Sequence, residues 1–136
     1  MNAKELTTFC EEWLAAWSGN NPDILISYYA ENALYSDPAH RDGLKGKEEI
    51  RKYFGKLLDV YRDWKWTPVE VFPIATGAIV KWECTIPAGS DTIHEIGLDI
   101  LEIGNGKITR NEVYFDRTRL VAFTEKRKRD QRLINL

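Results

Sequence analysis

The dipeptide Asn105-Gly106 constrains this chain more than any other two residues. A two-residue hairpin turn of type I′ needs positive φ at both central positions, and Asn-Gly is the pair that tolerates this best. The flanking residues alternate in polarity, so 97–116 (GLDILEIGNGKITRNEVYFD) reads as two strands folded back on each other. With Asn105 and Gly106 as the loop, Gly104 faces Lys107, Asp99 faces Glu112, Gly97 faces Tyr114 and Glu95 faces Asp116. Side chains alternate between the faces of a strand. One face of the hairpin then carries Ile96, Leu98, Ile100, Val113 and Phe115. The other carries the carboxylates of Glu95, Asp99, Glu112 and Asp116 around Gly97 and Tyr114, together with Leu101, Ile103 and Ile108. This second face reads in one of two ways: as a solvated face, or as the wall of a polar-lined pocket, which would spare those three apolar residues from water. Two carboxylates opposed on one face repel when both are charged, which predicts a raised pKa for Asp99 or Glu112.

The rest of the chain arranges itself before this hairpin. Residues 3–17 place Leu6, Phe9, Cys10, Trp13, Ala16 and Trp17 at three- and four-residue steps, the spacing of an amphipathic helix. Gly19 stops it, and Pro22 opens a second helix over 22–30 that buries Leu25 or Ile26 and Tyr29. Residues 33–37 alternate as a short strand, and Pro38 keeps Asp37 extended. A loop over 38–46 leads to a third helix, 47–61, with Ile50, Phe54, Leu57, Leu58 and Tyr61 inward. From Trp64 the period becomes two, giving strands 64–72, 77–86, 91–103 and 107–116. In the second of these Ala78, Val80, Trp82, Cys84 and Ile86 face inward, leaving Lys81 and Glu83 outside. Helices first and an antiparallel meander after them make an α+β layout with helices covering one sheet face.

Composition narrows the function classes. The chain has 136 residues, enough for one domain with a core and a cavity. Its net charge of −2 argues against nucleic acid and anionic membranes as partners. That charge is unevenly spread: residues 117–136 hold seven Lys/Arg against two Asp/Glu, a basic C-terminal extension. Cys10 and Cys84 fit no metal or redox spacing and read as free buried thiols of a reducing cytoplasm. No His and carboxylate cluster has metal-ligand spacing, so neither a metal nor another cofactor is expected. The first residues lack an apolar signal-peptide core, and no apolar run has the length of a membrane span.

Taken in order, the segments 13–23 (WLAAWSGNNPD), 28–38 (YYAENALYSDP), 46–54 (GKEEIRKYF) and 97–116 carry a likeness. The chain resembles the SnoaL-like group of the nuclear-transport-factor-2-like superfamily, which includes ketosteroid isomerases, limonene epoxide hydrolase and polyketide cyclases. The resemblance implies one domain over 1–136. Its fold would be a cone-like curved antiparallel sheet wrapped around N-terminal helices, a cystatin-like α+β barrel. It also implies a homodimer formed through the apolar hairpin face. Asp37, in an Asp-Pro step, resembles the general base of ketosteroid isomerase. Asp99 resembles the protonated Asp of that enzyme's oxyanion hole, and Trp13 stands where the isomerase has a Tyr. Asp116 resembles the second Asp of limonene epoxide hydrolase, with Lys81-Trp82-Glu83 in place of its Arg-x-Asp pair.

These residues also have plainer roles. Asp37 suits a turn, Asp116 suits pairing with Arg117, Arg119 or His94, and His40 is either a proton shuttle at the pocket mouth or a solvated loop residue. Trp13, Trp17, Tyr29, Trp82 and Tyr114 are core residues that also suit the wall of a pocket for a flat hydrophobic ligand. The expected function is carboxylate acid/base chemistry, as isomerase, cyclase or hydrolase, on a hydrophobic carbonyl-containing small molecule. The catalytic residues would be Asp37, Asp99 and Asp116. The alternatives are a non-catalytic ligand carrier and a dimeric interaction module.

Overall fold

A computed structural model of the chain describes residues 1–134. Three helices come first in it: α1 (Ala3–Ser18), α2 (Pro22–Ile26) and, after the first two strands, α3 (Lys47–Val60). Asn2 caps α1 by accepting from the Glu5 backbone N–H at 2.8 Å, and Asn21 caps α2 through the N–H groups of Asp23 and Ile24. The amphipathic spacing of α1 is realised in the burial of Leu6, Cys10, Trp13, Leu14, Ala16 and Trp17. The second helix ends four residues short of expectation. Tyr29 lies not on it but at the head of a strand, fully buried.

Six strands form one curved, unclosed sheet in the order β2-β1-β6-β5-β4-β3. They are β1 (Tyr29–Asp37), β2 (His40–Lys45), β3 (Lys65–Ile74), β4 (Gly77–Ala88), β5 (Asp91–Gly104) and β6 (Lys107–Phe115). The segment expected as a loop after Pro38 is thus the edge strand β2, where polar residues and Gly43 are tolerated because one side pairs with nothing. β3 to β6 form the expected antiparallel meander, but β1 runs parallel to β6, so the sheet is mixed. Its concave face holds the core against α1 and α3. Ala78, Val80, Trp82, Cys84 and Ile86 of β4 all point into that core.

The hairpin turn is as the sequence predicts, with Asn105 at φ 53° and Gly106 at φ 74°. Its register is not. Ile103 pairs with Ile108, but Glu102 pairs with Arg110, so Thr109 is an extra residue in β6. Such a bulge moves every later side chain to the opposite face. Asp99 is therefore opposite Val113 rather than Glu112, and Gly97 is opposite Phe115 rather than Tyr114. Val113 and Phe115 turn into the core side, while Glu112 and Tyr114 turn outward beside Leu98 and Ile100. A last helix, α4 (Thr118–Ile134), contains no buried residue and carries the basic extension.

Candidate functional site

Two carboxylates face one aromatic cavity in the concave side of the sheet. Asp99 comes from β5, which presents Glu95, Gly97, Asp99 and Leu101 inward. It is 3% exposed. Its Oδ1 accepts from the Trp82 indole N–H at 2.7 Å, and its Oδ2 accepts from the Asn111 amide at 2.8 Å. The indole reaches that far because its strand neighbour is Gly97: a Cβ there would lie 2.2 Å from Trp82 Cζ2. Phe115 meets the same ring edge-on at 5.7 Å.

Behind Asn111 the polar contacts continue. The Tyr29 hydroxyl donates to Asn111 Oδ1 at 2.7 Å and accepts from the Trp13 indole at 3.0 Å. Indole N–H groups can only donate, so the chain runs in one direction from Trp13 through Tyr29 and Asn111 to Asp99. Burial lifts the Asp99 pKa from 3.8 to about 7, opposed by the two donors and reinforced by the charge of Asp37. With a donor on each oxygen, the proton of the neutral acid is left for the cavity.

Asp37 closes β1, two residues beyond Tyr35 and on the same face. Its Oδ2 accepts from the hydroxyls of Tyr35 at 2.9 Å and Tyr53 at 2.7 Å. Its Oδ1 accepts from the backbone N–H groups of Ala39 at 2.9 Å and His40 at 2.8 Å. All four partners are donors, the set an ionised carboxylate requires. Burial raises the Tyr35 and Tyr53 pKa values and keeps both hydroxyls protonated, so they remain donors. The site thus pairs a fully solvated-by-protein carboxylate with a buried carboxylic acid that titrates near neutrality.

Trp17, Tyr53, Tyr61, Trp64, Trp66 and Trp82 complete the wall. The space between them is about 60 Å³, room for a few waters. A groove of about 390 Å³ under α4 shares Tyr61, Trp64 and Arg117 with it, so a ligand has somewhere to extend. A wider concavity, about 1120 Å³, lies against Phe72, Ile79, Lys81, Ile96, Leu98 and Tyr114 on the outer face. It reaches Asp37 but not Asp99, so only the smaller space is lined by both carboxylates.

The expected site residues divide accordingly. Asp37, Asp99, Trp17 and Trp82 line the cavity, and Trp13 and Tyr29 stand behind it as the hydrogen-bond chain. Glu95 points inward at 5% exposure beside Cys84, but it does not line the cavity. Its Oε1 makes a charge contact with Arg119 of α4 at 3.4 Å, without a hydrogen bond. His40 gives the site only its backbone N–H, and its ring packs outside on Tyr53 at 4.5 Å. Glu112 and Tyr114 are on the outer face, where Glu112 accepts from Arg110 and from the Tyr114 hydroxyl. The Arg110 hydrogen bond lowers the Glu112 pKa, the reverse of the rise expected from facing Asp99. Asp116 is exposed and accepts from the Thr118 N–H and hydroxyl, which lowers its pKa; it turns the chain into α4 and does not reach the cavity. Among the described residues no group of three or more His, Cys, Asp or Glu is placed to hold a metal ion.

Sequence reasoning missed Asn111, Tyr35 and Tyr53. Asn is depleted in strands, so a central-strand Asn signals a buried polar contact or a bulge, and here it marks both. Tyr35 was legible from the alternation that carries Asp37.

Residues 10–111 match the model of the SnoaL-like domain. Solved structures share the fold over most of the chain. A protein of ketosteroid isomerase-like fold from Catenulispora acidiphila DSM 44928, in complex with trimethylamine, aligns with a TM-score of 0.70 and 20% identity, covering 82% of this chain and 85% of that one. A SnoaL-like protein of unknown function from Burkholderia thailandensis E264 aligns with a TM-score of 0.72 and 17% identity, over 85% and 98%. TerC, co-crystallised with polyporic acid, aligns with a TM-score of 0.74 and 14% identity, over 88% and 98%. No curated protein matches the sequence. At these identities the likeness establishes the fold alone.

Proposed function

The chain belongs to the SnoaL-like domain family, and from that premise we propose that it is an enzyme of carboxylate acid/base chemistry acting on a hydrophobic carbonyl compound. The observation that carries this reading is the pairing of Asp37 and Asp99 across one aromatic cavity, the first surrounded by four donors and the second buried with its pKa raised to about 7. Two carboxyl groups in such different surroundings, one held by four donors and one buried, suit opposite roles. Asp37 takes a proton from the carbon beside the carbonyl. Neutral Asp99 donates a hydrogen bond to the oxygen as it gains negative charge. The Trp13-to-Asn111 chain and Trp82 orient Asp99 for this, and the stacked and tilted rings of Tyr61, Trp64 and Trp66 supply flat apolar contact. That a protein of this fold has been co-crystallised with polyporic acid supports an organic ligand in this cavity.

The test is proton exchange at the α-carbon of a panel of aryl ketones in D₂O. The wild-type protein should accelerate it, Asp37→Asn should lower the rate on the order of 10²- to 10⁴-fold, and the rate should fall as pH rises through about 7 and Asp99 ionises. Ketones that bind without any exchange would instead mark a non-catalytic carrier.

The outer sheet face supports a second proposal. Ile96 is 58% exposed, Leu98 40% and Tyr114 54%, a contiguous apolar area that suits a homodimer interface. Sedimentation at micromolar concentration should give a dimer, and Leu98→Asp should give a folded monomer; a wild-type monomer would end this proposal. No helix of the described residues is long and apolar enough to cross a membrane. The two buried free thiols fit a reducing compartment, and the cytoplasm is the proposed location.

A further inference from the structure

Arg117 stands at the junction of the aromatic cavity and the groove beneath α4, and it lines both. The alternation of β6 puts it there: Val113, Phe115 and Arg117 follow one another on the inward side, while Asp116 faces out and is occupied by Thr118. Its backbone is fixed where strand becomes helix, because its carbonyl accepts the Val121 N–H at 2.8 Å. Arg117 is a partly buried residue, and among the described residues it has no ion-pair partner. The carboxylates around it are otherwise engaged or out of reach. Glu95 faces Arg119, Glu125 lies 3.6 Å from Lys128, Asp37 is saturated by four donors, and Asp63, on the groove wall, makes no ion pair with it. Its charge does act on the cavity, drawing down the pKa values of the Tyr53 and Tyr61 hydroxyls against their burial.

A guanidinium is a planar fork matched to a carboxylate, and one left without an ion-pair partner at a cavity mouth is free to take a ligand's carboxylate. We infer that Arg117 selects the ligand: the substrate is a hydrophobic carbonyl compound that also carries a carboxylate, which pairs with Arg117 while the carbonyl sits between Asp37 and Asp99. This rests on the proposed use of the cavity and adds the substrate class to it. The groove walls beside Arg117, formed by Ile86, Pro87, Leu120 and Phe123, leave room for an apolar extension of the same molecule.

A matched pair of probes tests it, 4-acetylbenzoate and 4-acetylbenzamide, with the Trp82 indole N–H resonance as reporter of cavity occupancy. The acid should bind on the order of tenfold more tightly than the amide. Arg117→Gln should bring the acid-to-amide affinity ratio down to about one, and Arg117→Lys should keep part of it. If both probes move the Trp82 resonance with equal affinity, or if the preference survives Arg117→Gln, the role of Arg117 falls and the cavity reading stands. If neither probe moves it at millimolar concentration, the cavity reading falls and takes this inference with it.

Discussion

Between pH 4 and pH 7 the protein should lose about 4 kcal/mol of stability relative to an Asp99→Asn variant. The unfolded chain binds the Asp99 proton with a pKa near 3.8, and the folded chain holds it to about 7. Below pH 4 both states carry the proton and the group contributes its full share. As pH rises through this window the unfolded state releases the proton while the folded state does not, so unfolding becomes progressively easier. Above about pH 7 both are ionised and the difference stops growing. Each pH unit in between is worth about 1.4 kcal/mol, which gives the total. Asn cannot ionise, so its own curve lacks this slope, although its amide sets a donor against Trp82 or Asn111 and lowers its baseline. The measurement is urea unfolding of both proteins from pH 3.5 to 8.5, with carbon-detected NMR of the Asp99 carboxyl beside it. A carboxyl titrating near 4 and parallel stability curves would remove the neutral acid and, with it, its role toward a carbonyl oxygen.

Gly97→Ala should cost about 3 kcal/mol, a large sum for one methyl group. The new Cβ would fall 2.2 Å from Trp82 Cζ2 and 2.4 Å from Cη2. The indole cannot step aside cheaply, since it is 3% exposed and braced by Phe115 at 5.7 Å. Overpacking a core of this density costs 1–3 kcal/mol by itself, roughly, and moving the ring also breaks its 2.7 Å bond to Asp99. A fall in melting temperature of roughly 10 °C follows for a domain of this size. The Trp82 indole N–H should shift at the same time. A variant with unchanged melting and an unchanged indole signal would mean that Trp82 does not lie across Gly97.

The helices α1 and α3, the turn and the inward set of β4 were legible because each rests on local spacing: three- and four-residue steps in α1, positive φ at Asn105 and Gly106, period two from Ala78 to Ile86. Asp99 and Asp37 were legible as candidates for the same reason, each lying on an alternating strand. The partners of Asp99 were not. Alternation counted outward from the turn assigns Glu112 to it, and only the unpaired Thr109 replaces that carboxylate with Asn111 and Val113. The four donors on Asp37 come from β1, α3, the turn before β2 and the first residue of β2, a convergence that depends on how α3 docks on the sheet rather than on spacing. Tyr29 was misplaced on a helix because its burial satisfies either period, and its parallel pairing with Ile108 is long-range.

The extra residue at Thr109 also sets which kinds of sequence change this domain survives. Removing it would leave Ile108, Arg110 and Asn111 in plain alternation and keep the pairs Ile103–Ile108, Glu102–Arg110 and Leu101–Asn111, so the strand beyond would hold its two surfaces. Removing Glu112 instead would turn Val113 and Phe115 outward and carry Tyr114 toward the aromatic interior. Point substitutions at Thr109 disturb little more than its 3.2 Å bond to the Glu102 carbonyl. At Thr109, then, a change of length is absorbed as readily as a change of letter, and in the strand beyond it is not.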